Sequence, residues 1–261
     1  MGRRIEVEVH SDAQIRRSEV DAARRAIAAV DRYVDEPVLG ARLTLRRISP
    51  MAARPYVADA TVLLDGRLVA AHAAGRDPKE AAEAAADRLR RQIRRLVGTD
   101  VAQRNEPRAI REALDSLPAE PMHRPEADIK RPEKRRIIRR RPYVDVPLST
   151  LEAVDELLAI DVEFFLFDHV RSSEWATVYR RDDGRIGLLF PPDSVLADEN
   201  DIVVPQPSRY DRPLTLSEAR VEMDIVNHRF VYFVDAGDAL GKVIYLRHDG
   251  DYGLVAPVRR T

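Results

Sequence analysis

The 261-residue chain contains no cysteine, which excludes disulfides, thiolate nucleophiles and cysteine-ligated zinc. No stretch approaches 18 consecutive apolar residues, and the start, MGRRIEVEVHSD, has no apolar signal core. The expectation is a soluble, cytoplasmic protein with no membrane partner. The usual signatures of catalysis are missing as well. The six histidines (His10, His72, His123, His169, His228 and His248) show no metal-ligand spacing beside a carboxylate, and HExxH, GxSxG, GxGxxG and GxxxxGK do not occur. Gly184, Gly187, Gly250 and Gly253 sit where turns and strands need them, and Asp182–Asp183–Gly184 is too short for a calcium loop. No metal, no cofactor and no enzymatic activity are expected. Lysine is scarce: 39 of the 43 basic residues are arginine. The arginine fork suits phosphate, although a GC-rich genome produces the same bias.

The near-zero net charge hides a polarity. Residues 1–98 carry 19 basic and 14 acidic residues, 99–145 carry 12 and 9, and 146–261 carry 12 and 21. A basic front and an acidic back fit a chain that docks one end on a polyanion. The length allows two or three small domains.

A repeat organises the back half. Residues 147–191 overlay 213–257 without a gap at a constant offset of 66, and fourteen positions are identical. The best-matched stretch sets ATVYRRDDGRIGLLFPP against KVIYLRHDGDYGLVAPV. Each copy predicts a helix (Ser149–Ile160, Thr215–Val226), an aromatic strand (Phe164–Phe167, Phe230–Val234) and a hairpin closed by an Asp-Gly turn (Thr177–Arg181 with Arg185–Phe190, Val243–Arg247 with Asp251–Ala256). A three-stranded sheet of this size leaves one apolar face to be covered.

Residues 1–98 alternate strand and helix patterns in the order β-α-β-β-β-α: Ile5–His10, Arg16–Tyr33, Arg42–Ile48, Tyr56–Leu64, Arg67–His72 and a long final helix. Ser11–Asp12 reads as the start of the first helix. Asp65–Gly66 marks a hairpin, and Asp77–Pro78 reads as the cap and first residue of the last helix. Ala82, Ala85, Ala86, Leu89, Ile93 and Leu96 form that helix's buried stripe. The fold class expected is α+β: this domain, then two small β-rich modules at 147–192 and 213–261. The proline- and charge-rich stretch 99–146 and the shorter 193–212 read as linkers. Asn105–Leu117 has the pattern of a brief helix. The basic run Lys130–Pro142 reads as a tether or as an arm along a phosphate backbone.

The front domain offers a basic surface. Its first helix carries Arg16, Arg17, Arg24 and Arg25, its second strand Arg42, Arg46 and Arg47, and its last helix Arg88, Arg90, Arg91, Arg94 and Arg95. Two basic helices on one face of a sheet suit phosphate contacts across folded RNA. Stacking residues are few there (Tyr33 and Tyr56), so base readout is not expected. The bland alternative is that these arginines only solvate the helices.

The β-α-β-β-β-α order, the HSD segment, the DGRLVAA hairpin return and the helix DPKEAAEAAADRLRRQIRRL resemble the ribosome-binding domain of the ribosome hibernation promoting factors (S30AE/sigma-54 modulation family). VEMDIVNHRFVYFVDAGDALGKVIYLRHDGDYGLVAP is similar to the carboxy-terminal domain of the family's long forms. The resemblance implies a non-enzymatic factor. It would occupy the decoding region of the small (30S) subunit of the 70S ribosome, contact 16S rRNA through the basic residues above, and block mRNA and tRNA in stress. It also implies a pairing role for Phe230, Phe233, Tyr245, Gly250, Gly253 and Leu254, and, at the offset of 66, for Phe164, Phe167, Tyr179, Gly184, Gly187 and Leu188. Long forms have one such module and dimerise through it; this chain has two. The modules are expected to pair within the chain or to form a homodimer. The other reading is a protein-interaction scaffold whose basic domain is incidental.

Overall fold

A computed structural model describes residues 5–30, 38–47, 54–64, 66–97, 106–115, 130–143, 146–194, 202–226, 229–247 and 250–257. The chain divides into two compact units, residues 1–104 with 158–161 and residues 105–157 with 162–261.

The first unit runs β1 (Val7–Ser11), α1 (Arg17–Ala28), β2 (Val38–Arg47), β3 (Tyr56–Leu64), β4 (Arg67–Gly75) and α2 (Pro78–Leu96). Sheet order follows chain order; β1 and β2 are parallel, the other pairs antiparallel. Successive strand residues point to opposite faces. One face therefore gathers Leu43, Leu45, Ala58, Ala60, Val62, Val69 and Ala71 into a core closed by Ala23 and Ile27 of α1 and Ala82, Ala85, Leu89 and Ile93 of α2. Asp77 caps α2, its carboxylate accepting the Glu80 N–H at 2.8 Å, with Pro78 in the first turn. The first helix starts elsewhere than Ser11–Asp12. Asp12 accepts the Arg47 N–H at 2.8 Å, while Glu19 turns back to the Arg16 N–H at 3.0 Å and closes the helix start. The expected extension of that helix to Tyr33, and Asp65 of the hairpin turn, lie outside the described residues.

The elements that follow are α3 (Pro107–Asp115), a short 3-10 turn (Pro132–Lys134), β5 (Ile137–Arg140), α4 (Thr150–Ala159), β6 (Phe164–Asp168), β7 (Trp175–Arg180), β8 (Ile186–Phe190), β9 (Val203–Pro207), α5 (Leu216–Val226), β10 (Phe230–Val234), β11 (Gly241–Leu246) and β12 (Tyr252–Val255). The duplication is visible down to its hydrogen bonds. Ser149 and Glu152 build a capping box at α4, and Thr215 and Glu218 build the same one at α5. Gly184 and Gly250, one per repeat, take φ of 80° and 77° in the hairpin turns.

The sheets correct the expectation of three strands and two linkers. Each sheet has four strands, in the orders β6-β7-β8-β9 and β10-β11-β12-β5. The stretch 193–212 supplies β9, and the basic run supplies β5. Both added strands run parallel to their neighbours, with Ile186 opposite Val203 and Tyr252 opposite Ile137. Those pairings are related by the same offset of 66. The duplicated unit thus begins at β5 and β9, and each repeat gives its leading strand to the other repeat's sheet. Neither strand alternates in hydropathy, since one lies among arginines and the other among prolines.

The glycines at 187 and 253 are needed for space. A Cβ at Gly187 would collide with the Tyr179 ring, and one at Gly253 with the Tyr245 ring. The substitution Gly253→Ala is expected to displace Tyr245 and cost about 1–3 kcal/mol, read as a lower urea midpoint at unchanged slope. An unchanged midpoint would show that the ring moves aside freely.

Candidate nucleic-acid interface and module-pairing surface

The front-domain arginines do not form one surface. Leu43 and Leu45 of β2 point into the helix-covered core, so Arg42 and Arg46 emerge on the opposite face of the sheet. There Arg42 pairs with Glu8 of β1 at 2.9 Å and holds the Glu8 carboxyl below its ordinary value. Arg46 pairs with Asp59 of β3, which also meets the His72 ring at 2.8 Å. Arg47, at the end of β2, lies over the Tyr56 ring at 5.7 Å.

The helical arginines sort by how far they are already engaged. Arg16 pairs with Glu19 at 2.8 Å and Arg24 with Asp21 at 3.2 Å. Arg90 pairs with Asp87, and Arg88 donates to the His72 carbonyl at 2.5 Å. Arg94 is exposed and Arg95 half-buried. Arg17, Arg25 and Arg91 are exposed and have no partner among the described residues. These three guanidinium groups, on helices that pack against each other, are the ones free to meet an external anion. No described helix is long and apolar enough to cross a membrane. No group of three or more His, Cys, Asp or Glu side chains among the described residues could hold a metal ion.

In the second unit the two sheets meet through one face each. Leu166, Tyr232, Val243 and Val255 form the buried centre, ringed by Phe164, Trp175, Leu189, Phe230 and Tyr245. Phe164 and Phe230, equivalent positions of the two repeats, face each other with ring centroids 4.8 Å apart. Phe164 meets Tyr245 edge-on at 5.2 Å, and Phe230 meets Tyr179 at 5.4 Å. The Tyr232 hydroxyl donates to the Trp175 carbonyl at 2.7 Å. Arg229 pairs with Glu163 at 2.9 Å and with Asp182 at 2.5 Å.

Four residues expected at this surface lie on the other side of their sheets. Phe233 and Leu254 pack under α5 with Ala219 and Met223, and by the same alternation Phe167 and Leu188 are buried in the first repeat's own interior. Gly184 and Gly250 are turn residues, while Gly187 and Gly253 make room for the facing tyrosines. Leu166, Trp175, Leu189, Tyr232, Val243 and Val255 were missed at the sequence level. All but Trp175 lie two residues along a strand from a residue that was named, and Trp175 stands opposite Asp168 at the end of its strand pair.

One polar cluster joins the segment leading into β5 to residues of the second repeat. Tyr252 donates to Asp224 at 2.6 Å, Arg135 pairs with Asp224 at 2.9 Å, and Arg135 lies over the Tyr252 ring at 5.4 Å. Asp251 accepts the Arg136 N–H at 2.9 Å and pairs with Lys130 at 2.7 Å. These contacts fasten the segment leading into β5 onto the sheet that receives it. At the matching positions the first repeat has Ile186 for Tyr252, Leu158 for Asp224 and Arg185 for Asp251.

Comparison with known families places the chain. The family model described as "Sigma 54 modulation protein / S30EA ribosomal protein" matches residues 4–99, and that described as "Sigma 54 modulation/S30EA ribosomal protein C terminus" matches twice, at 132–188 and 198–254. The chain belongs to the sigma 54 modulation/S30EA ribosomal protein family. Both carboxy-terminal matches take in the leading strand, β5 or β9. Among curated relatives, it is 28% identical over 150 residues to a "Dormancy associated translation inhibitor" of Mycobacterium tuberculosis, covering 51% of this chain and 52% of the relative. It is 32% identical over 63 residues to the "Ribosome hibernation promotion factor" of Bacillus subtilis, covering 24% of this chain and 33% of that one. The chain thus spans about half the length of the first of these relatives. Among solved structures, the Thermus thermophilus Protein Y N-terminal domain matches at 26% identity with a TM-score of 0.29, covering 36% of this chain and 99% of that one.

Burial and the hydrogen bond to Asp224 push the Tyr252 hydroxyl up to about 12. The folded value lies above the ordinary one of about 10. The neutral hydroxyl therefore stabilises the fold fully below about pH 10, and that contribution is lost as pH rises through about 12. Alkaline titration of tyrosinate absorbance is expected to show a late step near pH 12 that Tyr252→Phe removes. Titration of Tyr252 with the ordinary tyrosines would contradict the buried pairing.

Proposed function

We propose that this protein is a non-enzymatic ribosome hibernation factor whose first unit binds the small subunit through ribosomal RNA, occupies the decoding region, and so keeps mRNA and tRNA off idle ribosomes in stress. The observation that carries this reading is a domain of the S30EA family with unpaired arginines on the outer face of its two helices. The names of the two relatives point the same way. The mechanism is occupancy. Guanidinium groups neutralise phosphates and release counterions, so binding is salt-sensitive and largely indifferent to base sequence. Arg17, Arg25 and Arg91 make the main contacts. Arg42 and Arg46, on the opposite face and already paired, contribute little.

The finer part of the proposal concerns pairing. Glu163 and Arg229 occupy equivalent positions of the two repeats and touch each other. A pair of identical second repeats would set arginine against arginine there, and a pair of first repeats glutamate against glutamate. The contact is favourable only between unlike repeats, which one chain supplies by itself. The protein therefore acts on single ribosomes and does not join two.

Two experiments test these parts separately. The triple change Arg17→Glu, Arg25→Glu, Arg91→Glu is expected to reduce affinity for purified small subunits by at least tenfold and to lower the slope of log K against log salt by about 2. Unchanged affinity and slope would show that the helix face is not the contact. For pairing, Glu163→Arg is expected to cost about 1–2 kcal/mol of stability, and the swap Glu163→Arg with Arg229→Glu, made alongside Asp182→Asn to remove the other carboxylate at Arg229, to recover most of it. Failure of the swap to recover stability would remove the charge argument. A paired-ribosome peak on sedimentation of ribosomes with the wild-type protein would overturn the single-ribosome reading.

A further inference from the structure

We infer that β5 and the residues beside it form a second RNA-binding ridge, separate from the helices of the first unit and directed at a phosphodiester backbone. The strand lies at the outer edge of its sheet, since the order β10-β11-β12-β5 ends there. Arg136, Arg139, Arg140 and Arg141 are all exposed, and their side chains have no partner among the described residues. At about 3.3 Å per residue the four span roughly 17 Å, with Arg136 and Arg140 on one face of the strand and Arg139 and Arg141 on the other. The backbone beneath them is held by the pairing to β12 and by the Asp251 and Asp224 contacts around Arg135 and Arg136. The cations are therefore fixed in a row before any ligand arrives, which lowers the ordering cost of binding.

The duplication provides an internal control for the ordinary explanation. Strand β9 has the same place at the edge of the other sheet, with the same parallel register. Its residues matching Arg136, Arg139, Arg140 and Arg141 are Ile202, Pro205, Gln206 and Pro207. The exchanged strand thus needs no charge to fold or to pair. Protection of an exposed edge needs none either, because β9 achieves it with prolines. Four guanidinium groups with no side-chain partner among the described residues match a linear polyanion, and their forks suit phosphate oxygens. This inference rests on the ribosome reading only for the source of the RNA.

The test uses the full-length protein with two probes, single-stranded polyuridine and purified small subunits, and polyglutamate as a polyanion without phosphate. The ridge variant is Arg136→Gln, Arg139→Gln, Arg140→Gln, Arg141→Gln; the helix variant is the Arg17, Arg25, Arg91 triple change. The ridge variant is expected to melt as the wild type does and remain monomeric. It should bind both RNA probes at least tenfold more weakly, with a salt slope lower by about 3. Loss of binding by the ridge variant with full binding by the helix variant would sustain the ridge and refute the helix-face reading. Loss by the helix variant alone, with an unchanged slope in the ridge variant, would overturn the ridge and leave the helix-face reading standing. Wild-type binding to polyglutamate as tight as to polyuridine would overturn the assignment to RNA. So would self-association of the ridge variant, which would show that the charges guard the strand edge.

Discussion

The reciprocal exchange of β5 and β9 governs the architecture of the carboxy-terminal half. Each repeat ends in a strand, β8 or β12, whose outer edge is closed only by the leading strand of the other repeat. A short strand of this kind gains nothing alone; its hydrogen bonds form only when the receiving sheet is in place. The face-to-face packing of Phe164, Phe230, Tyr179 and Tyr245 depends on the same arrangement, because the two sheets are already bound edge to strand. The polar fastening of Arg135 by Asp224 and Tyr252 strengthens one of the two exchanges.

Much of the fold was legible in the residues, for physical reasons that also explain the gaps. In the first unit β1 and β2 alternate apolar and polar residues because one face of each is covered and the other open, and the last helix announces itself with Asp77 and Pro78. The repeat showed the second unit to be a duplicated module. The strands β5 and β9 were missed because edge strands donated across a repeat bury too little of themselves to leave a period of two. The alternation of β2 put Arg42 and Arg46 on its non-apolar face, and the structure keeps them there. A residue's charge is visible in a sequence, but the face it emerges from depends on which side the helices cover, and that separates Arg42 and Arg46 from Arg17, Arg25 and Arg91.

The same alternation accounts for the mixed result among the pairing residues. The positions shared by both repeats include those that build each module's own interior, such as Phe167 and Phe233, as well as those that face the other sheet, such as Phe164 and Phe230. Identity between repeats marks what both copies need, and both needs are packing. Where the repeats differ, at Glu163 against Arg229 and at Ile186 against Tyr252, the difference follows the contacts each copy makes with the other.

The exchange also sets an order of events during synthesis. Ile137 finds its partner at Tyr252, 115 residues further along the chain. Until β12 has left the ribosome, the basic segment around β5 has no sheet to join and its arginines remain on a loose strand. Contacts of such long sequence separation form slowly. The nascent protein therefore passes through a stage in which one sheet can already be whole while the other waits for its first strand, and its cations are in place on neither.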